Sequence, residues 1–97
     1  MKGYWLVLGT DVADAAAQQE YGALWAPIAR QYGARLVTGS DAVDAREPRD
    51  ATRVLLVEFP SFQAAKACYD DPAYQRARQR ALAAAERSLV LLRGEIA

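Results

Sequence analysis

Arg53-Val54-Leu55-Leu56-Val57-Glu58-Phe59, stopped by Pro60 and followed by Ser61, is the stretch on which the fold turns. A short apolar run rich in β-branched residues, ended by a proline that cannot donate to a ladder, reads as a strand. Its apolar residues fall on both faces: Val54 and Leu56 on one, Leu55, Val57 and Phe59 on the other. A strand covered on one side only should alternate apolar with polar, so this one is expected to be central and covered twice. Downstream, Ser61 can cap a helix running to about Tyr69. Asp71-Pro72 is a fresh cap with proline at the first helical position. The helix that follows carries Tyr74, Ala77, Ala81 and Ala84 on one face and is expected to reach about Arg87. Leu89 to Leu92 makes the last strand, closed by Arg93-Gly94.

Upstream, Tyr4 to Leu8 is an aromatic-rich first strand, ended by Gly9 to Asp14. Asp14 can N-cap the segment in which Ala17, Tyr21, Leu24 and Ile28 recur at helical spacing, and Gly33 suits the C′ position. A helix over Ala15–Tyr32 is predicted, kinked or restarted near Ala23 to Ala26 by Pro27. Arg35 to Thr38 reads as a second strand that continues irregularly past Gly39-Ser40 towards Ala45. The charged, proline-containing Arg46 to Asp50 suits a hairpin loop.

The order β-α-β-β-α-β folds most simply as a split β-α-β sheet, with both helical layers on one face and strands one and three at the centre. One α+β domain of the ferredoxin-like kind over residues 1–97 is expected. Strands one, three and four are apolar on both faces, yet the helices cover only one. The exposed patch would approach or exceed the ~300–600 Å² typical of the largest patch on a monomer. A second copy is the simplest cover, so a homodimer through the open sheet face is expected; the alternative is a monomer with an apolar sheet face.

Composition narrows the function classes. A chain of 97 residues buries only about two-thirds of its unfolded surface, and 53% of its residues are hydrophobic. Twelve basic residues balance twelve acidic ones, which argues against nucleic-acid and anionic-membrane partners. Cys68 is the single cysteine, so no intrachain disulfide can form. Met1-Lys2-Gly3 does not read as a signal peptide, and no apolar run approaches the ~20 residues of a membrane helix. A cytoplasmic protein is the expectation. Histidine is absent, which removes imidazole metal ligands and Ser–His or Cys–His nucleophiles. No metal site and no cofactor are expected.

Glu58-Phe59-Pro60-Ser61, then Ala64-Ala65 and Tyr69-Asp70-Asp71-Pro72-Ala73-Tyr74, resemble the signature of the domain-of-unknown-function family 1330. Gly3-Tyr4-Trp5 and Tyr32-Gly33-Ala34-Arg35 fit the same pattern, so the resemblance spans nearly the whole chain. It implies a ferredoxin-like dimeric α+β barrel in which two sheets face one another, and no established activity. The chain departs from the pattern at Leu8, where members often carry a polar residue such as histidine. It departs again at Arg46-Glu47, where they carry an acidic-glycine pair, and at Ala81, near which an arginine is expected and Arg80 stands one step away.

Glu58 is the first candidate for chemistry. It shares a face with Val54 and Leu56, and a carboxylate partly buried between subunits would have a raised pKa and could act as acid, base or anchor. The plainer reading is a structural partner for Arg35, Arg53 or a backbone amide. Tyr4 should share that face and either orient a ligand or bond Glu58. Trp5 and Phe59 point the other way, into the helix-facing core. Trp25, one step off the helical stripe, could flank a pocket mouth or pack an edge. Tyr69 and Tyr74 bracket the helix break, where they pack a corner or touch a ligand, and Arg35 is a further ligand-binding candidate. Arg76, Arg78, Arg80 and Arg87 make a solvated basic face, and Cys68 is read as a small buried hydrophobe.

Two functions fit. One is a dimer that binds a small molecule between or beneath its sheets. The other is a cofactor-independent enzyme using Glu58 and Tyr4, since monooxygenases of polycyclic phenols and isomerases of small lactones resemble the chain at fold level. A ferredoxin-like RNA-binding module is disfavoured, because strand three lacks paired exposed aromatics and net charge is zero.

Overall fold

Strands β1 (Gly3–Gly9) and β3 (Arg53–Phe59) lie antiparallel at the middle of a four-stranded sheet, with β2 (Arg35–Thr38) and β4 (Arg87–Arg93) at its edges. Three helices complete the chain: α1 (Ala15–Tyr32), α2 (Phe62–Asp70) and α3 (Pro72–Ala84). The structure is a computed structural model and describes residues 1–38 and 42–96. Among these, no helix is long and apolar enough to cross a membrane. The architecture is the expected ferredoxin-like α+β fold, with the most apolar strands in the centre.

Register sorts the side chains into two faces. The helix-facing rows are Trp5/Val57/Leu91, Val7/Leu55/Leu89 and Gly9/Arg53/Arg87 across β1, β3 and β4. The opposite face carries Tyr4/Glu58/Leu92, Leu6/Leu56/Val90 and Leu8/Val54/Ser88. The main buried cluster lies on the helix side, where Trp5 groups with Val57, Phe59, Ile28, Ala65 and Tyr74. The Trp5 indole N–H donates to the Ala65 carbonyl at 2.9 Å, tying β1 to α2. Gly3 permits this seating, because a Cβ there would overlap the backbone of Ser61 and Phe62.

Local chemistry sets most element ends. The Asp14 carboxylate accepts from Ala17 N at 3.1 Å, and Gly33 closes α1 with φ 65°. Ser61 caps α2, and Asp71 caps α3 with Pro72 in its first turn.

Several expectations are corrected. Pro27 does not restart α1, which runs unbroken from Ala15 to Tyr32. Ile28, just beyond it, is buried against the sheet, and this packing holds the helix across the proline. Leu24 is 44% exposed, and Trp25 takes its place on the core side by packing against Trp5. The last helix ends at Ala84 rather than Arg87, because Ala85 turns extended (φ −164°) and frees Arg87 to open β4. The anticipated continuation of β2 falls partly on residues 39–41, outside those described, and residues 42–45 carry no strand. The barrel implied by resemblance is not present within the chain: its sheet is open, and only a second sheet could close it.

The open face is largely bare. Leu8 and Val90 are 38% and 47% exposed. Leu6, Val54, Leu56 and Leu92 are half-buried, and Tyr4 is fully buried although it points away from the helices. The chain turns back at Gly94 (φ 119°), whose N–H donates to the Lys2 carbonyl, and the Ile96 N–H donates to the Tyr4 hydroxyl at 3.0 Å.

Candidate functional site

Beyond the packed core, the space between sheet and helices widens into a cavity of about 240 Å³. Its floor is the helix-facing row set of β1 and β3, with Trp5, Val7, Leu55 and Val57. Its roof is one side of α1, where Gln18, Tyr21, Gly22 and Trp25 sit three or four residues apart and so share a helix surface. Ala81 and Ala85, at the end of α3, leave room by being small, and Arg53 and Arg87 stand at one end beside Gly9.

Aromatic contacts fix the wall. Trp5 and Trp25 have ring centroids 5.3 Å apart, and Tyr21 lies parallel to Trp25 (4° between planes, 6.5 Å). Tyr74 supports them from behind, at 4.8 Å from Trp5 and 5.9 Å from Trp25. Such offset and edge-on pairs add about 0.5–1.5 kcal/mol each beyond burial, so the wall is stiff.

A polar chain runs along the cationic end. Arg87 Nη2 donates to the Tyr74 hydroxyl at 2.6 Å, and the Tyr74 and Tyr21 hydroxyls are 3.2 Å apart. The Arg87 guanidinium also lies 5.5 Å from the Tyr21 ring centroid, a cation–π contact. Burial, reinforced by Tyr74, raises the Tyr21 pKa well above the ordinary tyrosine value, so the hydroxyl stays protonated. Burial works against the Arg87 charge, yet the Tyr74 and Tyr21 hydroxyls outweigh it and hold that pKa above the usual arginine value. No acidic residue and no cysteine lines the cavity among the described residues. Nor could any grouping of Cys, Asp and Glu among them hold a metal ion. The arrangement can hold a flat apolar molecule against indole faces and offer positive charge at one end.

The candidates from sequence divide between the two faces. Trp25 lines the cavity, and Tyr74 backs it. Tyr69 packs 6.0 Å from Trp5 and 5.6 Å from Tyr74, behind the wall. Glu58, Tyr4 and Arg35 gather on the opposite face, away from the cavity. There the Glu58 carboxylate accepts from Arg35 Nη2 at 3.1 Å and lies 3.5 Å from Lys2 Nζ. Trp5 and Phe59 are core, as their parity required. Tyr21, Gln18, Gly22, Arg53 and Arg87 were not singled out by sequence as site residues. Arg53 carries a readable signal, since it shares parity with Leu55 and Val57.

Comparison with known proteins agrees with this fold. A protein of unknown function from Rhodopseudomonas palustris superposes with a TM-score of 0.73 at 23% identity, covering 97% of this chain and 82% of its own. A dimeric ferredoxin-like protein of unknown function from Jannaschia sp. CCS1 gives 0.71 at 18% identity, covering 97% of this chain and 100% of its own. SnoaB, a cofactor-independent oxygenase from Streptomyces nogalater, gives 0.67 at 14% identity, covering 99% and 95%. At these identities the likeness establishes the fold alone. No curated protein matches the chain. Residues 2–95 match the family described as Domain of unknown function (DUF1330).

Proposed function

The chain belongs to the DUF1330 family, and from that premise we propose that it is a homodimeric binder of a small, flat, mostly apolar molecule held between the sheet and helices of each protomer. The observation that carries the reading is the cavity of about 240 Å³ walled by Trp5, Tyr21 and Trp25. An apolar cavity of about 150 Å³ takes up benzene, so this one suits roughly two fused rings. Concave sites lined by aromatic side chains with a few placed polar groups are the usual form of a ligand pocket.

Pairing uses the other face. The Leu6/Leu56/Val90 row has no helix over it, and a two-fold axis through that row lets each copy cover the other with the same patch. The Jannaschia protein, described as dimeric, supports this arrangement. Two sheets so opposed form the barrel that the family resemblance implies and leave both cavities on the outer, helix sides. In this reading Glu58, Arg35 and Lys2 make a charged border to the paired face. A reducing, cytoplasmic setting accords with a single cysteine that is buried and unpaired.

A second reading, a cofactor-independent enzyme, draws support from the likeness to SnoaB. Glu58 and Tyr4 would have to act on a ligand at the open face. A general base poised near neutral pH is missing from the cavity's described lining, where the Tyr21 hydroxyl is held protonated. Binding without proton transfer therefore fits the cavity better.

Calorimetric titration with 2-naphthamide tests the two readings. Saturable binding is expected, weakened about 10- to 100-fold by Gly22→Leu, whose side chain overfills the cavity edge. Glu58→Gln should leave it unchanged. No binding up to about 1 mM would overturn the cavity reading, and loss of binding in Glu58→Gln would move the site to the open face.

A further inference from the structure

We infer that the cavity's ligand is a planar aromatic carboxylate whose charged group docks between Arg53 and Arg87. The inference rests on the cavity reading and specifies its ligand.

Strand register sets Arg53, Gly9 and Arg87 in one row across β3, β1 and β4, on the helix-facing side. Both arginines therefore point into the cavity end, with the residue between them lacking a side chain. A Cβ on Gly9 would lie 3.5 Å from the Glu86 carbonyl oxygen, 3.6 Å from Arg87 Cβ and 3.8 Å from Arg53 Nη1, ordinary contact distances, so the glycine keeps a methyl-sized space between the two arginine stems. Both arginines line the cavity, Arg53 with its Nη1 near Gly9 and Arg87 with its guanidinium held at Tyr74 and over the Tyr21 ring.

Nothing in the described structure neutralises them. The ion pairs among the described residues involve Lys2, Arg35, Arg46, Lys66 and Arg80, and neither Arg53 nor Arg87. The lining holds no carboxylate, so the cavity carries two formal positive charges in a chain whose net charge is zero. Arg87 spends one donor on the Tyr74 hydroxyl, which fixes its guanidinium at the cavity end. A guanidinium has five N–H donors in a planar fork, and that fork matches a carboxylate two bonds at a time. Like charges in a partly desolvated site repel, and a bound anion relieves the repulsion. Trp5, Trp25 and Tyr21 supply the apolar walls for the ring system attached to that anion.

The test compares 2-naphthoate with its neutral counterpart 2-naphthamide, by calorimetry, on the parent chain and on Arg53→Met and Arg53→Lys. The parent should bind the carboxylate about 10- to 100-fold more tightly than the amide, the range for hydrogen bonds to a charged group. Arg53→Met should erase most of that preference, and Arg53→Lys should restore part of it. Equal or weaker binding of the carboxylate by the parent overturns the anion assignment and leaves the cavity reading standing. Failure of both compounds to bind overturns the two together. The parent comparison needs no variant to fold, and circular dichroism verifies the fold of each variant.

Discussion

A single methyl group at Gly3 probes how the sheet is seated on α2. In Gly3→Ala the new Cβ would come 2.5 Å from Phe62 Cα, 2.8 Å from the Ser61 carbonyl oxygen and 2.9 Å from Phe62 N. All three are backbone atoms, so no rotamer change relieves the overlap. Non-bonded carbons settle at about 3.5–4.0 Å, which forces β1 and α2 apart by roughly 1 Å. A displacement of that size carries the Trp5–Ala65 hydrogen bond, now 2.9 Å, out of bonding range. Overpacking costs about 1–3 kcal/mol, and the lost bond adds about 0.5–1.5 kcal/mol. The sum is about 1.5–4.5 kcal/mol out of a usual total of about 5–15 kcal/mol. For a domain of this length it should lower Tm by about 10–30 °C. Thermal melts followed by circular dichroism read the change at one fixed protein concentration, since association makes Tm concentration-dependent. A Tm within about 2 °C of the parent would refute the close seating of β1 on α2.

Three further outcomes are expected. Leu56→Asp, in the central row of the open face, should convert a species of twice the 10.6 kDa chain mass into monomer by light scattering, and a persistent dimer would refute pairing through that face. Tyr74→Phe removes the hydroxyl that accepts from Arg87 and meets Tyr21, and urea unfolding should register a loss of about 1–3 kcal/mol; an unchanged midpoint would mean that the polar chain contributes nothing. Burial, helped by Asp71, pushes the Cys68 thiol up to about 12 from 9.0, so it should resist Ellman's reagent at about pH 8 until the chain unfolds. The native thiol then keeps its proton after the unfolded one has lost it. The corresponding stability is whole below about pH 9 and declines as pH rises towards 12. Cys68→Ala should flatten part of that alkaline decline in Tm, and an identical slope would contradict the assignment.

Much of the fold was legible because its signals are local. Asp14 and Gly33 bound α1 in sequence as they do in space, and the apolar run from Arg53 to Phe59 marks β3 to the residue. Period-two parity sorted Trp5 from Tyr4 and Val57 from Glu58 correctly. What depends on distant packing was not legible. Helical spacing put Leu24 on the stripe with Tyr21 and Ile28 and Trp25 one step off it, yet the presence of Trp5 beneath α1 brings Trp25 to the core side instead. The Tyr4 hydroxyl accepts from the Ile96 N–H, a contact that depends on the chain's return at Gly94 and has no periodic signature. The site was harder still. A lone carboxylate in an apolar strand drew attention to Glu58, yet its neighbours prove to be Lys2 and Arg35, while the cavity opens on the other face. Arg87 was hidden because helical spacing carries α3 up to it, and only the extended backbone at Ala85 hands it to β4.

The most direct test of the proposed helix-side site is a chemical-shift titration of the isotopically labelled protein with 2-naphthamide. The largest perturbations are expected at the Trp5 and Trp25 indole N–H groups and the Val7 and Leu55 methyls, with Leu6, Leu56 and Val90 unmoved. Perturbations centred on Leu6, Leu56, Val90 and Tyr4 would place the ligand between the sheets and contradict a site on the helix side.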